Sequence, residues 1–586
     1  MDPRRLIHEH GQLDELAATV DWITASNWRV SELFQLEVDF DLLIDGRTYE
    51  ATLTYPDAFP NTPAYICPRD RSEVWSGHQY GAGGSLCLEL RADNWHQEFT
   101  GADLVRSAHK LLSAEQNPEI PTPVLSAHRT TQGQDLSGKV HRLVATPALL
   151  ELLESVRRDV AIPIQTETIF HRSARVSIVT EVTDAAGGVV RIADVPIGVG
   201  GLTVWSLIGD GFAIRSDAFQ QGPNMSSLEA LSELIRTAGL SPEILLSSLP
   251  ETTKLGKRIV LIKGSDVSTV RAFALDESKL TECVVIFPKA EEGRTPASYR
   301  QLNNLKVAIV GLGSIGSKVA ISLARAGCRK FLLVDDDVFL PENMCRNELG
   351  WDAVGLHKAE GVREKLELIA AAVDVQVQVR RLAGQESSLN MAAALKSLAA
   401  CDLIIDATAS PNVFLVVAAV ARTNRRALCW GEVFAGGIGG LIARARPNQD
   451  PHPLAVRNGI LRHFETLPPA PYVTATGYDV EDQGPIIADD ADVTHIASAL
   501  ARLVIDTALH DHVSAFNSQA YLIGLRQAWV FSGPFDTQPI QIAGEGWDEA
   551  PSTTEDQEAA AQILGQILRE RLDDQVDPAT SDTRNN

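Results

Sequence analysis

The sequence predicts a multidomain chain: an α+β domain at the N-terminus, a mixed α/β domain in the middle, and an α/β domain on a parallel sheet towards the C-terminus. Three observations carry this. The 586 residues are too many for one core and suit about three or four domains. The runs LFQLEVDFDLLI and TYEATLTY alternate around IDGRT as a β-hairpin does. From residue 305, KVAIVGLGSIGSKVAISLARAGCRKFLLVDDD turns into strand–helix–strand, the pattern of a parallel sheet.

The first domain is set at residues 1–118. An amphipathic helix over 1–20 precedes the hairpin, then come the proline-rich stretch YPDAFPNTPAYICP and the glycine-rich GGSLCLELRADNW around Cys87, and a helix over 101–115 closes the unit. Residues 119–140, rich in Pro, Ser, Gln and Gly, read as a linker. Residues 141–296 mix strand-like segments such as ARVSIVTEV, RIVLIKG and ECVVIFP with two helical ones and carry no chemical motif. EEGRTPAS marks the next boundary, 297–550 is the α/β domain, and 551–586 is a polar tail with a short helix over 557–572.

Composition removes several functions. A net charge of −24 argues against a nucleic-acid binder, which should show a basic face. Seven scattered cysteines with no CxxC pair exclude a disulfide framework and a zinc knuckle. The opening MDPRRLIHEHGQLDEL has no apolar signal core, and no apolar run reaches bilayer length, so a cytoplasmic protein with reduced thiols is expected.

Gly311, Gly313 and Gly316 follow an apolar strand and open a helix, the setting of a nucleotide-binding turn. It is not a Walker loop, because Ser317 separates Gly316 from Lys318; Lys318 falls outside the motif and is expected to matter little. Asp335 ends the next strand, where a carboxylate accepts ribose hydroxyls. A dinucleotide-dependent oxidoreductase would share all of this. Asn343, Arg346 and Lys358 discriminate, since an amide and two cations beyond the ribose acid suit a triphosphate undergoing attack at the α-phosphate. Asp406 ends a further strand in CDLIIDATASPN, a position suited to Mg²⁺.

With these residues in view, 305–445 resembles the ThiF-type adenylation domain of ubiquitin-activating enzymes and of the enzymes of thiamine and molybdopterin biosynthesis. The pattern reads GLGSIG, Asp335–Asp337, Asn343–Arg346, then Gly355–Lys358. The resemblance implies a Rossmann-like fold and ATP with Mg²⁺ as cofactors. It implies that Asp335 holds ribose, that Asp337 belongs to the acidic strand end, that Asn343, Arg346 and Lys358 line the triphosphate, and that Asp406 holds the metal. The implied reaction joins ATP to a protein's C-terminal glycine carboxylate, giving an acyl-adenylate and pyrophosphate. The family's TDN is replaced here by Thr408-Ala-Ser-Pro.

Such an adenylate needs a nucleophile, and Cys87 then becomes legible. YPDAFPNTPAYICP followed by GGSLCLELRADNW resembles ubiquitin-conjugating enzymes over about residues 15–115, with Trp95 eight residues beyond the cysteine. The resemblance implies that Cys87 forms a thioester and that Trp95 packs beside it, whereas Cys67 is expected in the core. The family's His-Pro-Asn is reduced to His78 followed by Gln79. Fusions of the two domain types resemble proteins of bacterial antiphage operons. The implied partner is a ubiquitin-like protein or a cGAS-like nucleotidyltransferase, with a further target protein and a homodimer through the adenylation domain. A family nucleophile beyond Asp406 would fall in PAPYVTATGYDVEDQGP, which holds Thr474 and Thr476 but no cysteine; Cys429, the last cysteine, sits in an apolar strand. Direct transfer to Cys87 is the favoured expectation, and a non-catalytic scaffold is the alternative.

Overall fold

The computed structural model describes residues 1–24, 26–116, 136, 139–184, 187–196, 206–217, 219, 227–243, 258–265, 269–276, 279–287, 295–384, 387–434, 436–469, 488–509, 513–548 and 554–576. Two compact units emerge, Met1–Ser137 and Gly138–Asn586.

The first unit begins with α1 (Pro3–Thr19), started by the Asp2 side chain, which accepts the Arg4 amide at 2.8 Å, and by a proline at the first helical position. Glu9, Leu13 and Leu16 recur at helical spacing and are its buried face. Strands β1 (Asn27–Val30), β2 (Leu36–Ile44), β3 (Arg47–Tyr55) and β4 (Tyr65–Pro68) form an antiparallel meander in chain order. The expected hairpin turn is Asp45-Gly46, both at positive φ as the twist of a two-residue loop requires. Helix α2 (Gly101–Gln116) packs Leu104, Val105, Ala108 and Leu112 with Val38, Phe40 and Leu42 of β2. Buried Glu9 joins three elements: it accepts from the Tyr55 hydroxyl at 2.9 Å and the Gly101 amide at 2.7 Å, and pairs with Arg5 at 2.8 Å.

The second unit holds two separate sheets. In the first, β5 (His141–Val144), β6 (Ala161–Phe170), β7 (Arg175–Thr183), β8 (Val189–Arg191), β9 (Ser206–Arg215), β10 (Arg258–Lys263), β11 (Val270–Asp276) and β12 (Lys279–Ile286) run β5-β12-β11-β10-β9-β6-β7-β8. Because β5 also pairs with β7, seven strands close into a ring and β8 hangs on β7. The two expected helices are α3 (Pro147–Ser155) and α4 (Leu228–Thr237). On one side, Leu149 and Leu153 of α3 pack with Ile259 and Leu261 of β10; on the other, Leu231 and Ile235 of α4 pack with Val260 and Ile262. Burial on both faces explains the unbroken apolar run IVLI between Arg258 and Lys263. Ring closure, which leaves few open edges, refines the looser mixed α/β expectation.

The second sheet comprises β13 (Lys306–Val310), β14 (Lys330–Val334), β15 (Asp374–Gln378), β16 (Leu403–Asp406), β17 (Ala427–Phe434), β18 (Gly439–Ala445), β19 (Ala520–Gly524) and β20 (Thr537–Ile540), in the order β15-β14-β13-β16-β17-β18-β19-β20. The first five in that order are parallel, and the rest add antiparallel. Helices α5 (Ser314–Ala326), α6 (Lys358–Ile369) and α10 (Asp490–Ala508) cover one face. Helices α7 (Ser388–Ala399), α8 (Pro411–Thr423) and α9 (Pro453–Thr466) cover the other. The chain leaves β13 towards β14 and later returns to its opposite side as β16. That makes the β13/β16 boundary the switch point at which open α/β sheets bind ligands. Behind the sheet, fully buried Arg444 pairs with Asp506 at 2.6 Å and donates to the Ser514 hydroxyl at 2.9 Å and the Phe516 carbonyl at 2.7 Å. Helix α11 (Thr554–Val576) is longer than the 557–572 expected. Among the described residues, no helix is long and apolar enough to cross a membrane.

Candidate active site

The glycine turn sits at the carboxyl end of β13. Gly311 takes φ +84°, and a Cβ on Gly316 would lie 1.8 Å from the Gly311 carbonyl oxygen, so the first turn of α5 presses on the loop as only glycine permits. A Cβ on Gly313 would meet nothing within 4 Å. That open side, at the N-terminus of α5, is where a phosphate would approach.

Asp335 is bound by the loop it was expected to serve. Its carboxylate accepts from the Leu312 amide at 2.6 Å and the Asp337 amide at 2.8 Å, and burial pushes its pKa up against these two bonds. Asp337 in turn holds Lys358, whose ammonium lies 2.8 Å from its carboxylate. Asn343 turns its side-chain oxygen to the Leu340 amide at 3.0 Å, which shapes the turn carrying it. The Arg346 amide ends that turn on the Asn343 carbonyl at 3.2 Å.

Asp406 ends β16, directly across the switch point. It is 4% exposed, and its Oδ1 accepts both the Thr408 amide at 3.0 Å and the Thr408 hydroxyl at 2.6 Å. Oδ2 keeps no hydrogen bond, and burial raises the pKa of the group. Thr408 therefore fixes one carboxylate oxygen and leaves the other without a hydrogen bond. The two loops touch, since a Cβ on Gly311 would lie 2.8 Å from the Thr408 methyl. An open phosphate approach, a bare carboxylate oxygen and Lys358 beside the acidic strand end fit ATP with a hard divalent ion.

Sequence reasoning missed three residues here: Asn347, Glu432 and Arg457. Asn347, next to Arg346, donates to the Leu312 carbonyl at 3.1 Å and pins the glycine loop. Lys318, outside the motif, is 7% exposed and pairs with Glu348 at 3.2 Å and Asp490 at 2.8 Å, tying α5 to α10. Glu432 and Arg457 line a cavity with Asp406 on the far side from the glycine loop. Glu432 had a signal, being the one charged residue of ALCWGEVF, whereas Arg457 reaches Asp406 only through the packing of α9.

In the first unit, Cys87 lies half-buried in the stretch between β4 and α2. Its amide donates to the His78 carbonyl at 2.7 Å, and the neighbouring Leu86 amide donates to Ile66 in β4 at 2.9 Å, which anchors the loop to the sheet. Gly83 takes φ +64°, and a Cβ there would be 2.2 Å from the Arg71 carbonyl oxygen. Gln79 is committed: its side-chain oxygen accepts the Trp75 amide at 2.8 Å and its nitrogen donates to the Glu73 carbonyl at 3.0 Å. Trp95 donates to the Pro60 carbonyl at 2.8 Å and packs between Phe59 and Phe99. Cys67 is buried, as expected, and burial raises its pKa. Cys429 is fully buried and its thiol is pushed up to about 12, which disqualifies it as a nucleophile. Thr474 and Thr476 lie outside the described residues.

Comparison with known family patterns falls in the second unit. The ThiF family pattern matches residues 289–455. A protein of Sinorhizobium fredii designated y4qC is 32% identical over 164 residues, 26% of this chain and 27% of its own. The ATP-dependent ubiquitin transferase-like protein Cap2 of Escherichia coli is 34% identical over 127 residues, 21% of this chain and 20% of its own. Ubiquitin-like modifier-activating enzyme 5 of Caenorhabditis briggsae is 40% identical over 81 residues, 14% of this chain and 18% of its own. The chain thus spans about a fifth to a quarter of these relatives' lengths. With the glycine turn, the acidic strand end and the switch-point aspartate in this sheet, the region around residues 289–455 is a ThiF-type adenylation domain.

Proposed function

We propose that this protein adenylates the C-terminal glycine of a partner and passes the acyl group to Cys87 as a thioester, for delivery to a target protein. The observation that carries the reading is the contact of the Gly311 loop with the Asp406–Thr408 loop across the switch point, with Asp406 Oδ2 left bare. Asp335 and Asp337 would serve the ribose side, and Asn343, Arg346 and Lys358 the triphosphate. Asp406 would hold Mg²⁺, which supplies charge neutralisation of the phosphates when bound. A partner carboxylate oxygen attacks the α-phosphorus, the bond to the β-phosphate oxygen breaks, and pyrophosphate leaves. Cys87 as thiolate then attacks the acyl carbon, a C–S bond forms, AMP departs with the carboxyl oxygen, and the thiol proton goes to solvent.

The partner is a ubiquitin-like protein or a cGAS-like nucleotidyltransferase, and the setting is bacterial antiviral defence, with the adenylation domain forming a homodimer. The likeness to proteins named ubiquitin transferase-like and ubiquitin-like modifier-activating supports this choice. Burial of Cys429 and the commitment of Gln79 favour direct transfer to Cys87, with oxyanion support from elsewhere.

The test combines ATP–pyrophosphate exchange with non-reducing gels, using the neighbouring gene's product as partner. Cys87→Ala is expected to keep exchange and lose every thiol-labile adduct, and Cys87→Ser to trap a thiol-resistant, hydroxide-labile ester. A thiol-labile adduct persisting in Cys87→Ala would overturn the assignment.

A further inference from the structure

The cavity on the β17 side of Asp406 is lined by two charged side chains that no hydrogen bond of the fold engages. Glu432, on β17, and Arg457, on α9, both line it. Neither makes a hydrogen bond or an ion pair; Arg457 only lies over the Phe414 ring, 4.5 Å from its centroid. Both residues are partly exposed, so their charged ends stay open to a ligand that enters the cavity. A guanidinium and a carboxylate thus face one cavity, close enough to attract each other but without a hydrogen bond, between aromatic walls of Phe414, Trp430 and Phe464.

The sheet order says which reactant this cavity faces. The glycine loop and Asp335 follow β13 and β14, on one side of β16; Trp430 and Glu432 belong to β17, on the other. Asp406, at the end of β16, stands between. A nucleotide seated on the glycine loop leaves the β17 side to the second reactant. A peptide group matches what that side lacks, since its carbonyl takes a guanidinium N–H and its N–H gives to a carboxylate. The aromatic walls then have room for an apolar side chain, which a terminal glycine would not fill.

We infer that Arg457 and Glu432 form a tail-reading subsite, which clamps the last peptide group of the partner and selects an apolar residue just before its C-terminal glycine. This rests on the adenylation reading and names the substrate feature that the same site recognises. Arg457 donates to the carbonyl of that residue, Glu432 accepts the amide of the glycine, and Phe414, Trp430 and Phe464 enclose the side chain.

Calorimetric titration of the full chain tests it without turnover. The probes are synthetic octapeptides ending in Leu-Gly or Asp-Gly, added in the presence of Mg²⁺ and α,β-methylene-ATP; the nucleotide is titrated separately. The Leu-Gly peptide is expected to bind at least tenfold more tightly than the Asp-Gly one. Arg457→Ala and Glu432→Gln are expected to lose about tenfold in peptide affinity while nucleotide affinity stays within twofold, with Arg457→Lys intermediate. Circular dichroism of each variant checks that it is folded. Equal affinity for the two peptides, or no peptide binding to a wild-type protein that binds nucleotide, overturns the subsite and leaves the adenylation reading standing. Parallel loss of nucleotide and peptide affinity in Arg457→Ala also overturns it, by moving Arg457 to the nucleotide site. Failure of the wild type to bind nucleotide at all is the separate result that defeats the underlying reading, and the subsite with it.

Discussion

Two glycines of one motif should fail in different ways when changed to alanine. A Cβ on Gly316 would begin 1.8 Å from the Gly311 carbonyl oxygen, where ordinary contact starts near 3.4 Å. The first turn of α5 and the loop would have to part by about 1.6 Å. Both are backbone, and α5 is buried nearly all round, with Val319, Ala320 and Leu323 at 1% exposure or less. Overpacking of this kind costs about 1–3 kcal/mol, which lowers the melting temperature by roughly 2–12 °C in a domain of this size. Gly313→Ala meets nothing within 4 Å, so its stability should stay within about 0.5 kcal/mol of wild type. The new methyl would instead stand in the phosphate approach and cut ATP affinity by about tenfold or more. Differential scanning fluorimetry with and without ATP and Mg²⁺ separates the two: Gly316→Ala melts early in both conditions, while Gly313→Ala melts normally and loses the ligand-induced rise. A Gly313→Ala protein with the full rise would refute the placement of the phosphates.

Asp406→Asn should lose partner-dependent pyrophosphate exchange by about 100-fold or more, since the bare oxygen that would hold the metal becomes an amide. Burial raises the pKa of Asp406, so the folded state holds its proton more tightly than the unfolded one, and stability declines as pH rises from about 4 through the folded value. Asp406→Asn should therefore melt above wild type at pH 7 without metal, the gap closing by pH 4; a lower melting point at pH 7 would contradict this. Arg444→Leu strands the buried Asp506 carboxylate and should cost about 3–5 kcal/mol in urea unfolding. A loss below about 1 kcal/mol would mean the pair is not closed. Brief iodoacetamide treatment of native protein should alkylate exposed Cys345 and half-buried Cys87 and spare Cys67, Cys283, Cys328, Cys401 and Cys429, as read by peptide mass spectrometry.

Whatever depends on neighbours in the chain was legible beforehand. The Asp45-Gly46 turn, the amphipathic helix near the N-terminus, the β13–α5–β14 unit and the buried state of Cys67 and Cys429 follow from local backbone preference and hydrophobic period, which act over a few residues. The glycines at 311, 313 and 316, with Asp335 and Asp406, were legible for the same reason, because a strand end followed by a helix start positions them without outside help. Only the tertiary structure could close seven strands through the β5–β7 pairing, because strand order follows from long-range burial that no local pattern encodes. It alone drew Lys318 inward between Glu348 and Asp490, since charge in the sequence says nothing of a partner 172 residues away. And it alone brought Arg457 of α9 and Glu432 of β17 to the cavity beside Asp406, where helix packing across the sheet edge, not spacing along the chain, sets what meets what.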